Sequence, residues 1–359
     1  MSLAAVSSSI APIVTKAIAE GVFPGAVIEA GRSHGPLVRF MAGRQTYDAG
    51  SAAVDGDTIY DLASLTKVIG TSALMAGELA AGRMRLNDRV RHWIESWTGE
   101  DRQAVTLRDL LEHASGLPGH RKYYESRQGR PSLEIAICEE PLGYTPRTQS
   151  IYSDPGFMLL GFAMENAAGD SLERLFDRWK AQELAEDTEL MYRPPQHLWP
   201  RIAPTEDTEH GEERRGKVHD ENAFALGGVA AHAGLFGTAN AVGACARWWM
   251  KSSALPLFAA KTAVPGSSRA LGWDTMLPTS SCGTRMSASA IGHTGFTGTS
   301  LWIDPANDLY VAILTNRVHP TRDGEGIQEV RRALHDAIVT GLNQDDAGPE
   351  HSVSGSVAG

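Results

Sequence analysis

Only three cysteines occur, Cys138, Cys245 and Cys282, an odd number scattered without metal-type pairing. That excludes a disulfide framework and fits small core thiols in a reducing compartment. No stretch reaches about 18 uninterrupted apolar residues, so a membrane-spanning helix is not expected. Met1 to Ala11 hold neither a basic segment nor a long apolar run, so the chain reads as lacking a signal peptide and as cytoplasmic. Clusters of Lys and Arg are missing too. With a net charge of −10 over 359 residues, neither nucleic acid nor an anionic membrane is expected as a partner. The cluster His219-Asp220-Glu221 has no spaced second set of histidines beyond His232. No metal and no cofactor is therefore expected, and the segment reads as a polar loop lining a cleft.

What is present is an ordinary globular composition, 42% hydrophobic and 21% charged, long enough for one large domain or two modest ones. Apolar residues at Ile10, Ile13, Val14, Ala17 and Ile18 recur at helical spacing and predict a helix from about Ser9 to Glu20. Gly25 to Ala30 and Leu37 to Met41 read as strands around the turn Ser33-His34-Gly35-Pro36. Thr106 to His113 predicts an amphipathic helix with a threonine N-cap, in which His113 packs or hydrogen-bonds rather than ligates. Pro155 starts a long apolar helix reaching Ala168, with Asp154 as its expected N-cap and Tyr152 just outside it. Trp248 and Trp249 read as core anchors. Ser300 to Ile303 and Leu309 to Thr315 form a hairpin pattern, and Glu325 to Leu342 a closing amphipathic helix.

The stretch with chemical content is Asp61-Leu62-Ala63-Ser64-Leu65-Thr66-Lys67, which runs into the apolar segment Val68 to Leu79. A lysine three residues after a serine shares its face of a helix and can relieve the hydroxyl of its proton. If Ser64 opens the helix, its own N–H lacks an intrahelical partner and is free to bind an oxyanion. A plain N-cap serine with a solvated lysine would give the same short pattern.

Three pieces in order decide between these: Ser64-x-x-Lys67, Tyr152-Ser153-Asp154 and His293-Thr294-Gly295. Together they resemble the serine β-lactamase and penicillin-binding superfamily, in its class C-like branch of β-lactamases, D-alanyl-D-alanine carboxypeptidases, esterases and amidases. The stretches Ala203 to Glu206, Val218 to Ala223 and Thr315 to Pro320 look like the penicillin-binding proteins of the 4B kind. The resemblance implies an α+β, β-lactamase/transpeptidase-like fold, an antiparallel sheet flanked by the N- and C-terminal helices plus a mainly helical domain. The expected division is 1–85 with 265–343 for the sheet domain, 86–264 for the helical domain, and a disordered tail over 344–359. It also implies roles: Ser64 as nucleophile, Lys67 and Tyr152 for proton transfer, the Ser64 and Phe296 N–H groups for the oxyanion. Asp154, His293, Thr294 and Gly295 would complete the substrate site.

Two departures from the family pattern stand out. The second motif commonly ends in Asn and here ends in Asp154; the third commonly begins with Lys and here begins with His293. A histidine near neutral pH is mostly uncharged, and a carboxylate adds repulsion, so anionic β-lactams should be poor substrates. The expectation is a serine hydrolase acting through an acyl-enzyme on a small ester, amide or peptidoglycan-derived peptide. The alternatives are a class C-like β-lactamase or D-alanyl-D-alanine carboxypeptidase and, from another class, a penicillin-binding sensor that never turns over. An α/β-hydrolase is not expected, because no Gly-x-Ser-x-Gly elbow occurs.

Overall fold

A computed structural model describes residues 3–185, 188–208 and 211–346. Its first helix, Leu3–Ala19, leads into the antiparallel strands β1 (Gly25–Arg32) and β2 (Gly35–Gly43). The turn between them is shorter than the sequence suggested, because Gly35 and Pro36 already pair with Arg32 and Gly31. Short strands β3 (Tyr60–Asp61), β4 (Leu190–Tyr192) and β5 (Leu235–Gly237) make a small separate sheet in the order β3-β5-β4. The remaining strands are β6 (Asp274–Thr275), β7 (Ile291–Thr294), β8 (Ser300–Asp304) and β9 (Leu309–Thr315). They join β1 and β2 in one antiparallel sheet ordered β2-β1-β9-β8-β7-β6.

The sequence of β9, Leu-Tyr-Val-Ala-Ile-Leu-Thr, has no polar alternation because both faces of this strand are covered. Leu309, Val311 and Ile313 pack with Val6, Ile10 and Val14 of the first helix and Leu334 and Ile338 of the last, Ile327–Asp346. Tyr310, Ala312 and Leu314 face the opposite way, into the cluster that holds Val242, Ala246 and Trp249 of the Ala239–Lys251 helix. Each large apolar side chain so enclosed contributes roughly 1.5–3 kcal/mol over its exposed state. Trp249 is the core anchor expected; Trp248 is only partly buried and donates its indole N–H to Glu183 (2.8 Å). The three cysteines are all buried and free. The last helix runs through residues 344–346, three positions into the expected tail, and 347–359 lie outside the described residues.

The remaining helices form a body beside the sheet. At its centre is the helix Asp154–Ala168, whose residues from Pro155 to Met164 are buried. It packs against the helices Leu107–Leu111, Arg130–Glu139 and Leu172–Glu183. The Leu107–Leu111 helix is closed at its start by a capping box between Thr106 and Asp109. It stops earlier than the sequence suggested, and His113 lies beyond it at φ 56°.

Candidate active site

The segment before Ser64 is fixed by Asp61. Its carboxylate accepts the N–H of Ala63 (2.8 Å) and, across the chain, the N–H of His219 (2.7 Å). Ala63 is thereby held at φ 46°, a left-handed conformation unusual for a residue with a Cβ and common where a site stores strain. The helix expected to begin at Ser64 is not a uniform α-helix. Ala63–Leu65 is a 3-10 turn, Lys67–Thr71 a π turn, and only Ser72–Ala80 is α-helical. Ser64 lies in the first of these turns and Lys67 in the second, and their side chains still meet.

Lys67 is fully buried, and its Nζ donates to Ser64 Oγ (3.0 Å) and to the carbonyl of His232 (3.0 Å). Tyr152 donates its hydroxyl to the same Ser64 Oγ (2.7 Å), so one oxygen lies within reach of two proton carriers. Asp154 Oδ1 lies 2.8 Å from Lys67 Nζ. It is not the helix N-cap: Ser153 takes that place, accepting from Gly156 N–H (3.1 Å), and the Asp154 side chain is left to pair with the lysine. Burial alone would strip the lysine of its proton, but the Asp154 carboxylate, with the neighbouring Tyr152, outweighs it and raises the Lys67 pKa. Burial raises the Tyr152 phenol, more than Lys67 lowers it. Burial also disfavours the Asp154 carboxylate, but the adjacent Lys67 ammonium and His120 hold it well below the usual range.

Beside Tyr152 lies His113, which packs and hydrogen-bonds as the sequence suggested. His113 Nδ1 accepts the N–H of Ser153 (3.0 Å), which makes the ring neutral with its proton on Nε2, and Ser153 Oγ donates to the Pro118 carbonyl (2.7 Å). The His113 ring lies 4.8 Å from that of Tyr152, and burial lowers its pKa well below the ordinary value. Its backbone is left-handed, at φ 56°, and nothing in the local sequence announces that.

The opposite wall comes from β7 and the hairpin after it. Thr297 Oγ1 donates to the Asp61 carbonyl (2.7 Å) and Thr299 Oγ1 to the Leu62 carbonyl (3.1 Å), clasping the hairpin to the nucleophile segment. The approach is so close that a Cβ on Gly295 would lie 2.7 Å from the Leu62 carbonyl oxygen. Buried Arg331 donates from one Nη2 to the carbonyls of Gly295 (3.0 Å) and Thr299 (2.8 Å). Phe296 is half-exposed, its ring stacked with that of His219 (5.6 Å) and 4.6 Å from the Arg317 guanidinium. His293 is buried, with Nδ1 2.8 Å from the Thr294 carbonyl, and a carbonyl only accepts, so that nitrogen carries the proton. Burial first, then the charges of Lys67 and Arg269, push its pKa down to about 3.

These walls enclose a cavity of about 810 Å³ lined by Ser64, Tyr152 and Asp154 on one side and His293 to Phe296 on the other. Lys67 lies beneath Ser64 rather than in the lining. His219, Asp220 and Glu221 line the cavity as the polar loop expected; Asp220 caps the Glu221–Ala225 helix and pairs with His232 (2.8 Å). Among the described residues no cluster of His, Cys, Asp and Glu is arranged to hold a metal. Sequence reasoning gave no role to the cations that line this cavity, Lys122, Arg269, Arg317, Arg322 and Arg331. Arg269 lies 5.2 Å from the Tyr152 ring centre and pairs with Asp274 (2.8 Å). Arg317 donates to the carbonyls of Phe296, Arg322 and Gly324 and, among the described residues, has no carboxylate partner. Arg317 falls in a stretch singled out for its family likeness; Arg269 carried no signal.

An antiparallel sheet beside a helical body, with a serine between lysine and tyrosine at the junction, defines the class of serine hydrolases with the β-lactamase fold. The chain belongs to the Beta-lactamase family, which it matches over residues 10–335, and it is a hydrolase of that family. It is 32% identical to the putative D-alanyl-D-alanine carboxypeptidase of Escherichia coli K12, over 73% of this chain and 70% of that protein. It is 30% identical to the N-acetylmuramyl-L-alanine amidase of Bacillus subtilis 168, over 87% of this chain and 81% of that one. In fold it is similar to EstCE1, a hydrolase with promiscuous acyltransferase activity, with a TM-score of 0.74 at 18% identity covering 94% and 99% of the two chains. The Aspergillus terreus simvastatin synthase LovD superposes similarly, with a TM-score of 0.71 at 18% identity covering 94% and 96%.

Proposed function

We propose that the chain forms an acyl-enzyme on Ser64 and hydrolyses a small ester, amide or peptidoglycan-derived peptide. The observation that carries this reading is the single Ser64 Oγ, at 3.0 Å from the buried Lys67 Nζ and 2.7 Å from the Tyr152 hydroxyl, on a cavity floor. In the reaction Ser64 Oγ attacks the carbonyl carbon, and its proton passes through the Tyr152–Lys67 pair to the leaving oxygen or nitrogen as that bond breaks. The N–H groups of Ser64 and Phe296 receive the developing oxyanion, and Asp154, His293, Thr294 and Gly295 shape the site around it. Water then takes the place of the leaving group, giving up its proton to the same pair and releasing the acid. The Thr297 and Thr299 clasps set the distance between the two oxyanion N–H groups.

Arg317 lines the cavity, is a cation without a carboxylate partner among the described residues, and can receive the carboxylate of a peptide or of a β-lactam alike. A peptide substrate is favoured by the names of the Escherichia coli and Bacillus subtilis relatives, which point to an amide within or beside a muropeptide. Against anionic β-lactams stand the neutral His293 and the Asp154 carboxylate. The test is steady-state hydrolysis of a short p-nitrophenyl ester, a D-alanyl-D-alanine peptide and a chromogenic cephalosporin by wild type and Ser64→Ala. The ester and the peptide are turned over, the cephalosporin slowly, and the variant turns over none. Release of one acyl group per chain followed by silence identifies the sensor instead, and turnover that survives in Ser64→Ala removes the nucleophile.

A further inference from the structure

Asp154 stands where the family pattern has a neutral amide, and its surroundings show where its charge is used. Ser153 caps the helix, so the Asp154 carboxylate is not held by backbone N–H groups there. Its side chain is 14% exposed, with Oδ1 2.8 Å from Lys67 Nζ and Oδ2 3.6 Å from His120 Nδ1. Lys67 has Ser64 Oγ and the His232 carbonyl as its other partners, neither of them charged. The ammonium of the resting site is therefore matched by one carboxylate.

Ser64 attacks only when the Lys67–Tyr152 pair holds one proton fewer than the ammonium and phenol together. Either Lys67 or Tyr152 gives it up, and the remaining proton is shared between them. A carboxylate in contact with the lysine opposes that loss whichever group releases it. We propose that Asp154 sets the pH at which Ser64 becomes nucleophilic, by holding back the proton that the Lys67–Tyr152 pair must release before attack. Asp154 is on this account a positioning residue, acting through Lys67, and the site works on the alkaline side. The inference rests on the acyl-enzyme reading above.

The other groups facing the pair are accounted for. His113, beyond the Leu107–Leu111 helix, and His293, on β7, are both kept neutral by burial. Asp220 pairs with His232, and its charge adds to that of Asp154. Arg269 lies over the Tyr152 ring, paired with Asp274, and its charge acts in the opposite sense. All of these remain when Asp154 alone is changed, so a substitution there isolates its contribution.

The experiment follows the rate of Ser64 labelling by a fluorophosphonate probe, beside kcat/KM for p-nitrophenyl acetate, from about pH 5 to pH 10. The proteins are wild type, Asp154→Asn and Asp154→Glu. In Asp154→Asn the midpoint of the rising limb moves down by about one unit or more, the usual reach of one adjacent charge. With a one-unit shift, labelling at one unit below the wild-type midpoint is then about five-fold faster in the variant. Asp154→Glu, which keeps the charge, keeps its limb near that of wild type. A limb that stays in place or moves up in Asp154→Asn overturns the proposal, and so does slow labelling at every pH with the limb unmoved, which makes Asp154 merely structural. If Asp154→Asn does not fold, Asp154→Ser makes the same neutral comparison. Wild-type protein that is not labelled on Ser64 at any pH fails on the acyl-enzyme reading itself, a distinct result.

Discussion

The two walls of the cavity hold their groups by opposite means. The floor is built from side chains meeting side chains in a buried place: Ser64, Lys67, Tyr152 and Asp154 touch one another directly. The sheet wall offers backbone, with Thr297, Thr299 and Arg331 binding main-chain carbonyls to fix the hairpin and His293 kept uncharged beside them. A charge in the floor has one geometry in which it is tolerated, whereas the wall spreads its hold over several contacts to main-chain carbonyls. Loss of one group should therefore be severe in the floor and graded in the wall.

The largest effect is expected at the buried pair. Lys67→Met removes a proton carrier and leaves Asp154 without its counter-charge, so activity toward a p-nitrophenyl ester falls by at least about 10³-fold. Unfolding in urea should show a loss of about 3 kcal/mol, because one half of a buried ion pair remains. Adding Asp154→Asn should restore much of that stability and none of the activity. Stability unchanged in the single variant would mean that the pair is not buried as the cavity floor requires. Next in size is Tyr152→Phe, which keeps the ring against His113 and removes only the hydroxyl. Its turnover should fall by about 10²- to 10⁴-fold with stability altered by less than about 1 kcal/mol.

In the wall, Thr297→Val removes one hydrogen bond to the Asp61 carbonyl and keeps the shape. Stability should drop by about 1 kcal/mol and kcat by roughly ten-fold, with KM little changed, as expected of a group that only places an oxyanion donor. A loss as deep as that of Tyr152→Phe would show that the wall is as brittle as the floor and end the contrast drawn between them.

The same contrast decides what the sequence could reveal. Ser64, Lys67, Tyr152 and the Gly292 to Thr299 segment were legible, because side-chain chemistry is written as residue type at a spacing. The strands β8 and β9 were legible as well, since Asp304 to Asp308 is turn chemistry between apolar runs. The placement of backbone was not. The 3-10 and π turns around Ser64 come from Asp61 binding Ala63 and His219, two partners more than 150 residues apart in sequence. The cap of the Asp154–Ala168 helix was read one residue late because Ser153 and Asp154 are both good caps; the demand of Lys67 for a carboxylate decided between them. Arg269 reaches Tyr152 from a segment without pattern, and only tertiary packing puts it there.

The smallest effect, and the sharpest on the wall, concerns His293. Its folded pKa of about 3 lies below the ordinary 6.5, because burial and the nearby cations disfavour the imidazolium. A depressed pKa adds stability that is present above 6.5 and lost as pH falls toward 3, since over that window the unfolded chain binds a proton the folded chain refuses. His293→Asn removes this group without adding charge. Activity toward a neutral ester at pH 8 should fall by less than about three-fold, because the ring is neutral and its loss costs one local hydrogen bond. The difference in unfolding free energy between pH 7 and pH 4 should shrink by about 1 kcal/mol or more in the variant. His335, buried and shifted down to about 4, acts in the same direction and is untouched by the substitution, so part of the acid sensitivity persists. An unchanged pH dependence would mean that His293 takes up a proton in the folded protein. The wall would then gain a further cation beside the substrate at acid pH, and anionic substrates would be better bound below neutrality than above it.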